Sequence, residues 1–398
     1  MQPGTIKLMS AAVGLALLGA NPASAEVKFS SDDGKFSTVL GGRIQVDAWS
    51  VNKDDYDLYG KSGTEFRRAR LFIKGTMYDN WTYKGQYDFA GNSTTIKDAW
   101  IGYNGFDAFK IKVGQFKQPM GLEELTSSKY ITFMERSLPT EAFATSRRIG
   151  LGIYNHSDHL NWAVSVYGQE EGDNTNDGGS EGYGAGARLA WAPWNEKGKL
   201  LHLGISGAYE EQNDSELRFR SRMEAHGVDT RYLNTGFIPD PDTTSKVGLE
   251  AATVFGPFSV QGEYYLVSAE TNAPGVSDPD FEGGYIFGSW FLTGESRHYK
   301  KGAFGRVKPK TTVGRGGWGA WELAARYSYV SLDDSGFKGG EETNYTVGLN
   351  WYATKYARFM ANYVYVDADP ISEVTTGVPN VDTDDKPSIY MMRAQIDF

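Results

Sequence analysis

Three arginines, Arg218, Arg220 and Arg222, occupy every second position of the stretch LRFRSRME. In an extended strand alternate side chains share one face, so the three guanidinium groups would form a row with spacings of about 7 Å. Like charges at that distance repel unless water, carboxylates or an anionic ligand compensates them. The spacing therefore predicts a cationic face that meets anions, with the mostly apolar residues between the arginines packed behind it.

A second group of arginines, Arg67, Arg68 and Arg70, lies within four residues. Guanidinium forks can bind phosphate or carboxylate through two hydrogen bonds. Strict alternation would turn Arg67 away from Arg68, so a bulge or a loop edge is needed to bring both to one face. Other cations fall on the polar faces of predicted strands, where we expect most to be solvated: Arg43, Lys74, Lys84, Arg188, Arg326, Arg358 and Arg393.

Catalytic and metal-binding patterns are missing from the sequence. There is no GxSxG elbow, no phosphate-binding glycine loop with lysine and no histidine–carboxylate constellation. The chain has no cysteine and only five scattered histidines, so we expect no metal and no cofactor. Glu123 and Glu124 could be taken for an acid–base pair, but neighbouring positions on a strand point apart, and we expect surface charges. The sequence predicts a protein that is not an enzyme.

Regular alternation of apolar and polar residues organises these cations. In WELAARYSYV, which begins at Trp321, one face reads Trp, Leu, Ala, Tyr, Tyr and the other Glu, Ala, Arg, Ser. Such alternation is typical of strands with one apolar and one polar face. It predicts sixteen strands, near 36–51, 65–78, 81–90, 95–104, 109–116, 148–155, 160–169, 182–192, 200–211, 245–255, 258–269, 282–293, 319–333, 342–352, 357–367 and 387–398.

The connections between these strands alternate between tight turns and longer polar segments, a pattern typical of outer-membrane barrels with short periplasmic turns and long external loops. Three connections are unusually long. Segments 117–147 and 212–245 are predicted to be external loops that fold inward. Segment 294–318 is predicted to be a long basic periplasmic turn that projects into the channel. The fold class is therefore all-β, a 16-stranded antiparallel transmembrane β-barrel with loops folded into the lumen.

Both ends of the sequence agree with a barrel in the bacterial outer membrane. Residues 1–25 are predicted to be a cleaved signal peptide, because Lys7 precedes an apolar run and Ala23-Ser24-Ala25 is a small-residue cleavage site. Residues 26–398 then form a single barrel domain. The formal net charge of −10 argues against nucleic acid as a partner. The final strand ends on Phe398, an aromatic terminus common in bacterial outer-membrane barrels.

Aromatic residues near predicted strand ends suit the girdles of a membrane barrel. We assign the following to them: Tyr78, Trp81, Trp100, Trp191, Trp194, Trp290, Trp321, Trp351 and Tyr365.

The chain also resembles a known family, the phosphate-selective porins O and P of Gram-negative outer membranes. The resemblance is carried by GGRIQVD (41–47), FRRAR (66–70), VGQFKQPMGLEELTSSKYITFMERSLP (113–139), LTGESR (292–297) and GLNWYA (348–353), which together extend across nearly the whole mature chain. It implies a homotrimeric barrel in the outer membrane that passes small anions, phosphate or related oxyanions, along a ladder of arginines. The acidic external segments 170–179 and 381–385 depart from the family pattern.

Carried over by position, the resemblance implies that the ladder includes Arg43, Arg67, Arg68, Arg218, Arg220 and Arg222. It also implies that one loop constricts the channel and contains Ser127, Ser128, Lys129 and Arg136. The alternative is a secreted all-β adhesin or carbohydrate-binding protein without a pore, and an outer-membrane enzyme is a more distant one.

Overall fold

The computed structural model describes residues 26–52, 62–91, 93–168, 182–213, 216–376 and 385–398. The expected signal peptide and the acidic segment 170–179 lie outside the described residues, as does most of 381–385. None of the helices in these ranges is long and apolar enough to cross a membrane.

Sixteen long strands form the wall of the molecule. They are β2 (Phe36–Asn52), β3 (Ser62–Met77), β4 (Trp81–Asp88), β5 (Thr95–Tyr103), β6 (Lys110–Lys117), β7 (Arg147–His156), β8 (Leu160–Gly168), β9 (Tyr183–Glu196), β10 (Lys199–Glu211), β13 (Pro241–Phe255), β14 (Phe258–Thr271), β15 (Asp280–Phe291), β18 (Ala320–Asp334), β19 (Phe337–Tyr352), β20 (Ala357–Ala368) and β21 (Ser388–Asp397).

The remaining described elements are short. The strands are β1 (Val27–Ser30), β11 (Arg220–Ser221), β12 (Leu233–Asn234), β16 (Tyr299–Lys300) and β17 (Ala303–Phe304). The helices are α1 (Leu122–Leu125), α2 (Leu138–Phe143) and α3 (Glu373–Thr376).

Each wall strand pairs antiparallel with the next along the chain, and β21 pairs with β2, which closes the sheet into a barrel. The predicted fold class and all sixteen predicted strands are confirmed. A closed barrel leaves no free sheet edge, which is how a membrane-spanning sheet satisfies its backbone hydrogen bonds. The closed barrel also rules out the two-sheet sandwich that a secreted adhesin would have.

The alternation of side chains separates the two faces of the wall. On β18, Leu323 and Tyr327 are 39% and 43% exposed on the outer face, while Glu322 and Arg326 lie inside and are 1% and 3% exposed. An apolar outer face suits contact with lipid. The interior polar residues are covered by chain segments that fold into the barrel, so burial here does not indicate an apolar core.

Aromatic pairs follow both rims of the outer face. Near the turns lie the stacked pairs Phe258–Trp290 and Trp321–Trp351, and toward the loop end of β21 lies the pair Tyr363–Tyr390. These pairs agree with the expected girdles. Trp100 is an exception, because its neighbours Ala99 and Ile101 face outward and Trp100 itself lines the interior. Its assignment to a girdle was wrong.

Some strands extend further toward the loop end than the pattern predicts. β13 begins at Pro241 instead of 245, and β19 begins at Phe337 instead of 342. These added residues complete ladder pairs with the neighbouring strands, such as Lys338 with Asp333. The connection between β18 and β19 is therefore the two-residue turn Ser335–Gly336, in which both residues have positive φ.

The two ends of the described chain meet on one edge of β2. Val27 of β1 pairs with Leu40, and the backbone of Phe398 exchanges hydrogen bonds of 2.6 and 3.0 Å with Gly42. The Phe398 ring lies against Gly42, where an added Cβ would be only 2.8 Å from a ring carbon. Phe398 therefore completes the seam at which the barrel closes.

We expect deletion of Phe398 to reduce assembly into the membrane. The deletion removes the hydrogen-bonded pair with Gly42 and the ring contact while leaving the rest of β21 in place. The measurement is the fraction of protein that shows heat-modifiable migration in detergent. Replacement of Phe398 by Tyr, which keeps an aromatic ring, is the control. Equal assembly of the deletion variant and the wild type would contradict this expectation.

Candidate functional site

A β-bulge brings Arg67 and Arg68 to the same side of the wall. The pairing of β2 with β3 shifts where Gln45 pairs with Arg68 and Val46 with Phe66, which leaves Arg67 as the extra residue. A bulge re-aims the side chain of the inserted residue. Both arginines therefore point into the lumen, which resolves the parity problem of the sequence.

Glu135 binds this arginine pair to the first inner loop (118–146). It accepts two hydrogen bonds of 2.8 Å from Arg67 and one of 3.3 Å from Arg68. It also lies 2.6 Å from Nη2 of Arg393, which in turn pairs with Asp47 at 2.6 Å. One loop carboxylate thus joins three cations from two wall strands, β3 and β21.

Interior arginines of β20, the neighbour of β21, and of β18 contact the same loop. Arg358 donates to the carbonyls of Ile131 and Thr132 at 2.7 and 2.8 Å. Arg326 lies 2.5 Å from Glu224 and 3.5 Å from Glu123. The expectation that most polar-face cations are solvated is wrong for these residues, because the inner loops cover them and supply their hydrogen-bond acceptors.

Glu123 and Glu124 are likewise not surface charges. They are 3% and 5% exposed, inside the barrel on helix α1. Besides its contact with Arg326, Glu123 accepts hydrogen bonds from the backbone and hydroxyl of Ser137, and Glu124 pairs with Lys117 and Arg136. The expectation of surface charges was wrong because the loop turns inward, and a buried carboxylate needs cations or donors around it.

Besides the inner loops of the loop end, the turn-end segment (292–319) enters the barrel from the other end. Arg297 donates to Gln261 on β14 at 2.9 Å and stacks on Phe304 at 3.5 Å. The backbone N–H of Phe304 donates to Thr126 of the first inner loop at 3.3 Å. Arg306 pairs with Asp397 on β21. The segment therefore packs against both the wall and the first inner loop.

The free lumen beside strands β3–β7 is strongly basic. A cavity of about 610 Å³, the basic chamber, is lined by twelve cationic and two anionic side chains among the described residues. The cations are Arg43, Arg67, Arg68, Arg70, Lys74, Lys84, Lys97, Lys112, Lys117, Lys129, Arg136 and Arg147. The anions are Asp98 and Glu124.

Carboxylates near the basic chamber are shared between cations. Asp98 lies 2.7 Å from Lys84 and 3.2 Å from Arg147, and Glu124 is shared in the same way. Within the described part of the chain, three lining cations have no carboxylate within 4 Å: Arg43, Lys97 and Lys112. Four further carboxylates, Glu26, Asp88, Glu135 and Asp397, pair with lining cations without lining the cavity themselves. When they are counted, the twelve cations still outnumber the six carboxylates by two to one. The chamber therefore keeps a positive potential.

The loop residues implied by the resemblance lie at this chamber. Arg43 donates to the hydroxyl of Ser127 at 3.4 Å, and the Ser128 carbonyl accepts from Gln45 at 3.2 Å. Lys129 lies 3.7 Å from Asp397. Arg136, 3.0 Å from Glu124, also donates to carbonyls of the same loop. All four residues line the cavity, but most hydrogen bonds of Arg136 are made to other residues of the same loop.

Glu124 and Lys129 are among the ionisable groups of the first inner loop whose pKa values are shifted. Burial alone would raise the pKa of Glu124, but the cations of Arg136 and Lys117 outweigh burial and hold that pKa at about 2. Burial lowers the pKa of Lys129 to about 8, although Asp397 opposes the shift. Glu124 is thus charged at neutral pH, and Lys129 loses its proton at mildly alkaline pH.

The row of Arg218, Arg220 and Arg222 lines a separate cavity of about 470 Å³ near the loop end, the outer vestibule. The residues that alternate with the arginines, Leu217, Phe219, Ser221 and Met223, are buried, as the spacing predicts. Arg222 lies 3.3 Å from Glu141, a neutralising contact that the sequence did not reveal. The other lining charges are Arg148, Arg231, Lys246, Glu141, Glu210, Glu211 and Glu216. The vestibule is therefore basic but more nearly balanced than the chamber.

The cavities form a series. Ser146 lines both the outer vestibule and the basic chamber. The chamber in turn shares Lys112, Phe116, Lys117 and Leu125 with a third cavity of about 380 Å³, the lower pocket, which extends to Lys301 of the turn-end segment. The three cavities therefore lie next to one another along the barrel, and each is lined by cations.

Sequence reasoning missed Lys97, Lys112, Lys117 and Arg147 as lumenal cations. Lys97 stands at a register shift between β4 and β5, and Gly114 of β6 has φ 122°, so simple parity fails at both places. The alternation of Lys110 and Lys112 was the signal that could have placed Lys112 in the lumen.

The described residues contain no cluster of three or more His, Asp or Glu side chains suited to a metal ion.

Comparison with known proteins agrees with this architecture. A family model described as "Phosphate-selective porin O and P" matches residues 39–398. Porin O of Pseudomonas aeruginosa is 30% identical over 386 residues, covering 87% of this chain and 86% of that protein. Two solved structures, each 13% identical, share the fold. OmpT, an outer membrane protein of Vibrio cholerae, has a TM-score of 0.60, covering 93% of this chain and 99% of its own. An anion-selective porin from Comamonas acidovorans has a TM-score of 0.59, covering 91% and 100%.

Proposed function

This chain belongs to the phosphate-selective porin O and P family and lies in the bacterial outer membrane, and from that premise we propose that it is a passive channel for small anions, with phosphate and related oxyanions as solutes. The observation that carries the proposal is the basic chamber, in which twelve cations line one continuous space. Family and fold point to a channel rather than an enzyme.

Electrostatics supports anion passage. A lumen lined by an excess of one charge raises the local concentration of the opposite charge and repels ions of the same sign. The path begins at the arginine row of the outer vestibule, passes Ser146 and continues beside the chamber cations. Successive weak sites allow an ion to enter and leave, because no single site holds it tightly.

The side-chain chemistry supports oxyanions. Arg43 has a guanidinium fork without a carboxylate partner in the described chain, and its only hydrogen-bond contact there is the long one to the Ser127 hydroxyl. An arginine fork matches the oxygen geometry of phosphate. The names of the relative and of the structural neighbour, Porin O and an anion-selective porin, agree with a channel for anions.

We also propose that the protein is a homotrimer. One similar solved structure is a trimer form of OmpT. The outer face of the wall carries the apolar residues that lipid or a neighbouring copy would cover.

The function is tested with the purified protein in a planar bilayer across a potassium chloride gradient. We expect a reversal potential of the sign that indicates chloride preference, and we expect added inorganic phosphate to reduce the chloride current. A potential that indicates potassium preference would overturn the anion channel. Anion preference without any phosphate effect would leave the channel but remove oxyanions as its solutes.

Replacement of Arg218, Arg220 and Arg222 together by glutamate tests the vestibule row. We expect the chloride-to-potassium permeability ratio to fall by about threefold, a moderate change because these side chains are partly exposed and salt screens them over about 8 Å. The matched control is Lys338→Glu, an exposed charge at the loop-end hairpin. An unchanged reversal potential would show that these three residues do not line the path.

A further inference from the structure

Aromatic rings line the lower part of the lumen, where a water-filled channel usually presents polar side chains. The rings of Trp100, Phe116 and Tyr154, on strands β5, β6 and β7, surround the ammonium group of Lys112. Its distances to the ring centres are 5.7, 4.2 and 4.9 Å, respectively. We call this group the aromatic collar.

The collar is open to solutes at two of its three rings. Phe116 is buried, but Trp100 and Tyr154 are only partly buried and line cavities. The ring of His156 stacks on Tyr154 with an interplanar angle of 10° and continues the flat surface further down the lower pocket. A planar apolar surface thus remains available beside the path.

Lys112 provides the matching charge. It is among the lining cations without a carboxylate within 4 Å in the described chain. Its partners are aromatic faces, which attract an ammonium but leave its positive charge unneutralised. An anionic group that arrives at Lys112 therefore meets an unneutralised ammonium group directly beside ring surfaces.

The space is large enough for a single ring. The lower pocket has a volume of about 380 Å³ and joins the basic chamber at Lys112 and Phe116. Its other walls include the small residues Gly152 and Ala163 as well as Tyr154 itself. This volume exceeds that of a single aromatic ring with one anionic substituent.

We propose that the aromatic collar is a subsite for aryl anions, solutes in which a carboxylate or phosphate is attached to one aromatic ring. This proposal rests on the proposed anion channel and extends its solute range. The anionic group contacts the Lys112 ammonium while the ring packs against Trp100 or Tyr154, so that charge and apolar area are recognised together. Small inorganic anions use the same lysine without the rings.

The test compares how benzoate and acetate reduce the chloride current of the wild-type channel. We expect benzoate to act at a concentration about fivefold lower than acetate, since one aromatic pair contributes a modest additional attraction. In Trp100→Leu and in Tyr154→Leu the ratio should fall toward one, whereas Tyr154→Phe should keep it. Trp194→Leu, on the outer face and 64% exposed, is the matched control.

The outcomes separate this proposal from the anion channel itself. Chloride preference with equal effects of benzoate and acetate would overturn the collar and leave the channel. An undiminished benzoate effect in both leucine variants would also overturn it, because block by size alone does not need the rings. A wild-type channel without anion preference would remove both proposals.

Discussion

Replacing Arg43, Lys97 and Lys112 together by glutamine is expected to lower the chloride-to-potassium permeability ratio by about tenfold. These are the lining cations of the basic chamber that lack a carboxylate within 4 Å in the described chain. A unit charge about 8 Å from a passing ion contributes about 0.5 kcal/mol in water, so three contribute about 1.5 kcal/mol. The same charges repel potassium by an equal amount, and salt screens both effects over about 8 Å, so the net change in relative permeability is about a factor of ten. The measurement is the reversal potential in a potassium chloride gradient.

The absence of partners makes this variant informative. Removing a paired cation such as Arg70 would leave Asp88 buried and unpaired, which destabilises a structure in its own right. The three chosen cations leave no such carboxylate, so the barrel should fold. The matched control replaces Lys28, Lys35 and Lys338, all exposed and outside the cavities, by glutamine. A permeability ratio unchanged from that control would mean that the chamber is not the selective region.

Replacing Glu135 by glutamine is expected to release the first inner loop. Glu135 is the common partner of Arg67, Arg68 and Arg393, and none of these three is more than lightly exposed. Without its charge three guanidinium groups remain close together, and breaking a buried pair costs roughly 3–5 kcal/mol. We expect a lower denaturant midpoint in detergent and faster protease cleavage within 118–146.

The control for this variant is Glu141→Gln in the same loop. Glu141 pairs with Arg222, but the two side chains are 32% and 25% exposed, and such pairs contribute about 1 kcal/mol or less. Its midpoint should therefore stay close to that of the wild type. If Glu135→Gln and Glu141→Gln behave alike in both measurements, Glu135 does not anchor the loop.

The barrel wall was predictable from the sequence because the alternation of apolar and polar residues within each strand determines it. Alternation in stretches such as the one beginning at Trp321 decides which side chains face lipid, and each stretch carries that information independently. Even the need for a bulge at Arg67 followed from parity alone. Where a register shift interrupts parity, as at Lys97, the same reasoning failed.

The interior was less predictable because its contacts join distant parts of the chain. Arg393 and Glu135 are 258 residues apart, and Arg358 reaches a carbonyl 227 residues away. No local pattern shows which cations such contacts neutralise and which remain available. For the same reason Glu123 was taken for a surface charge. Trp100 is a different case, because the alternation of its neighbours Ala99 and Ile101 already placed it on the inner face.

The sharing of carboxylates in the basic chamber has a consequence for the resting state of the protein. A lumen whose fixed charges do not balance cannot stay empty of ions, because electroneutrality requires mobile counterions to remain inside. The channel therefore resembles a bead of anion-exchange resin, whose counterion content is set by its own groups more than by the surrounding medium. If anions pass as we propose, we expect each arriving anion in dilute surroundings to replace a resident one, so that transport proceeds by exchange instead of by filling a vacant pore.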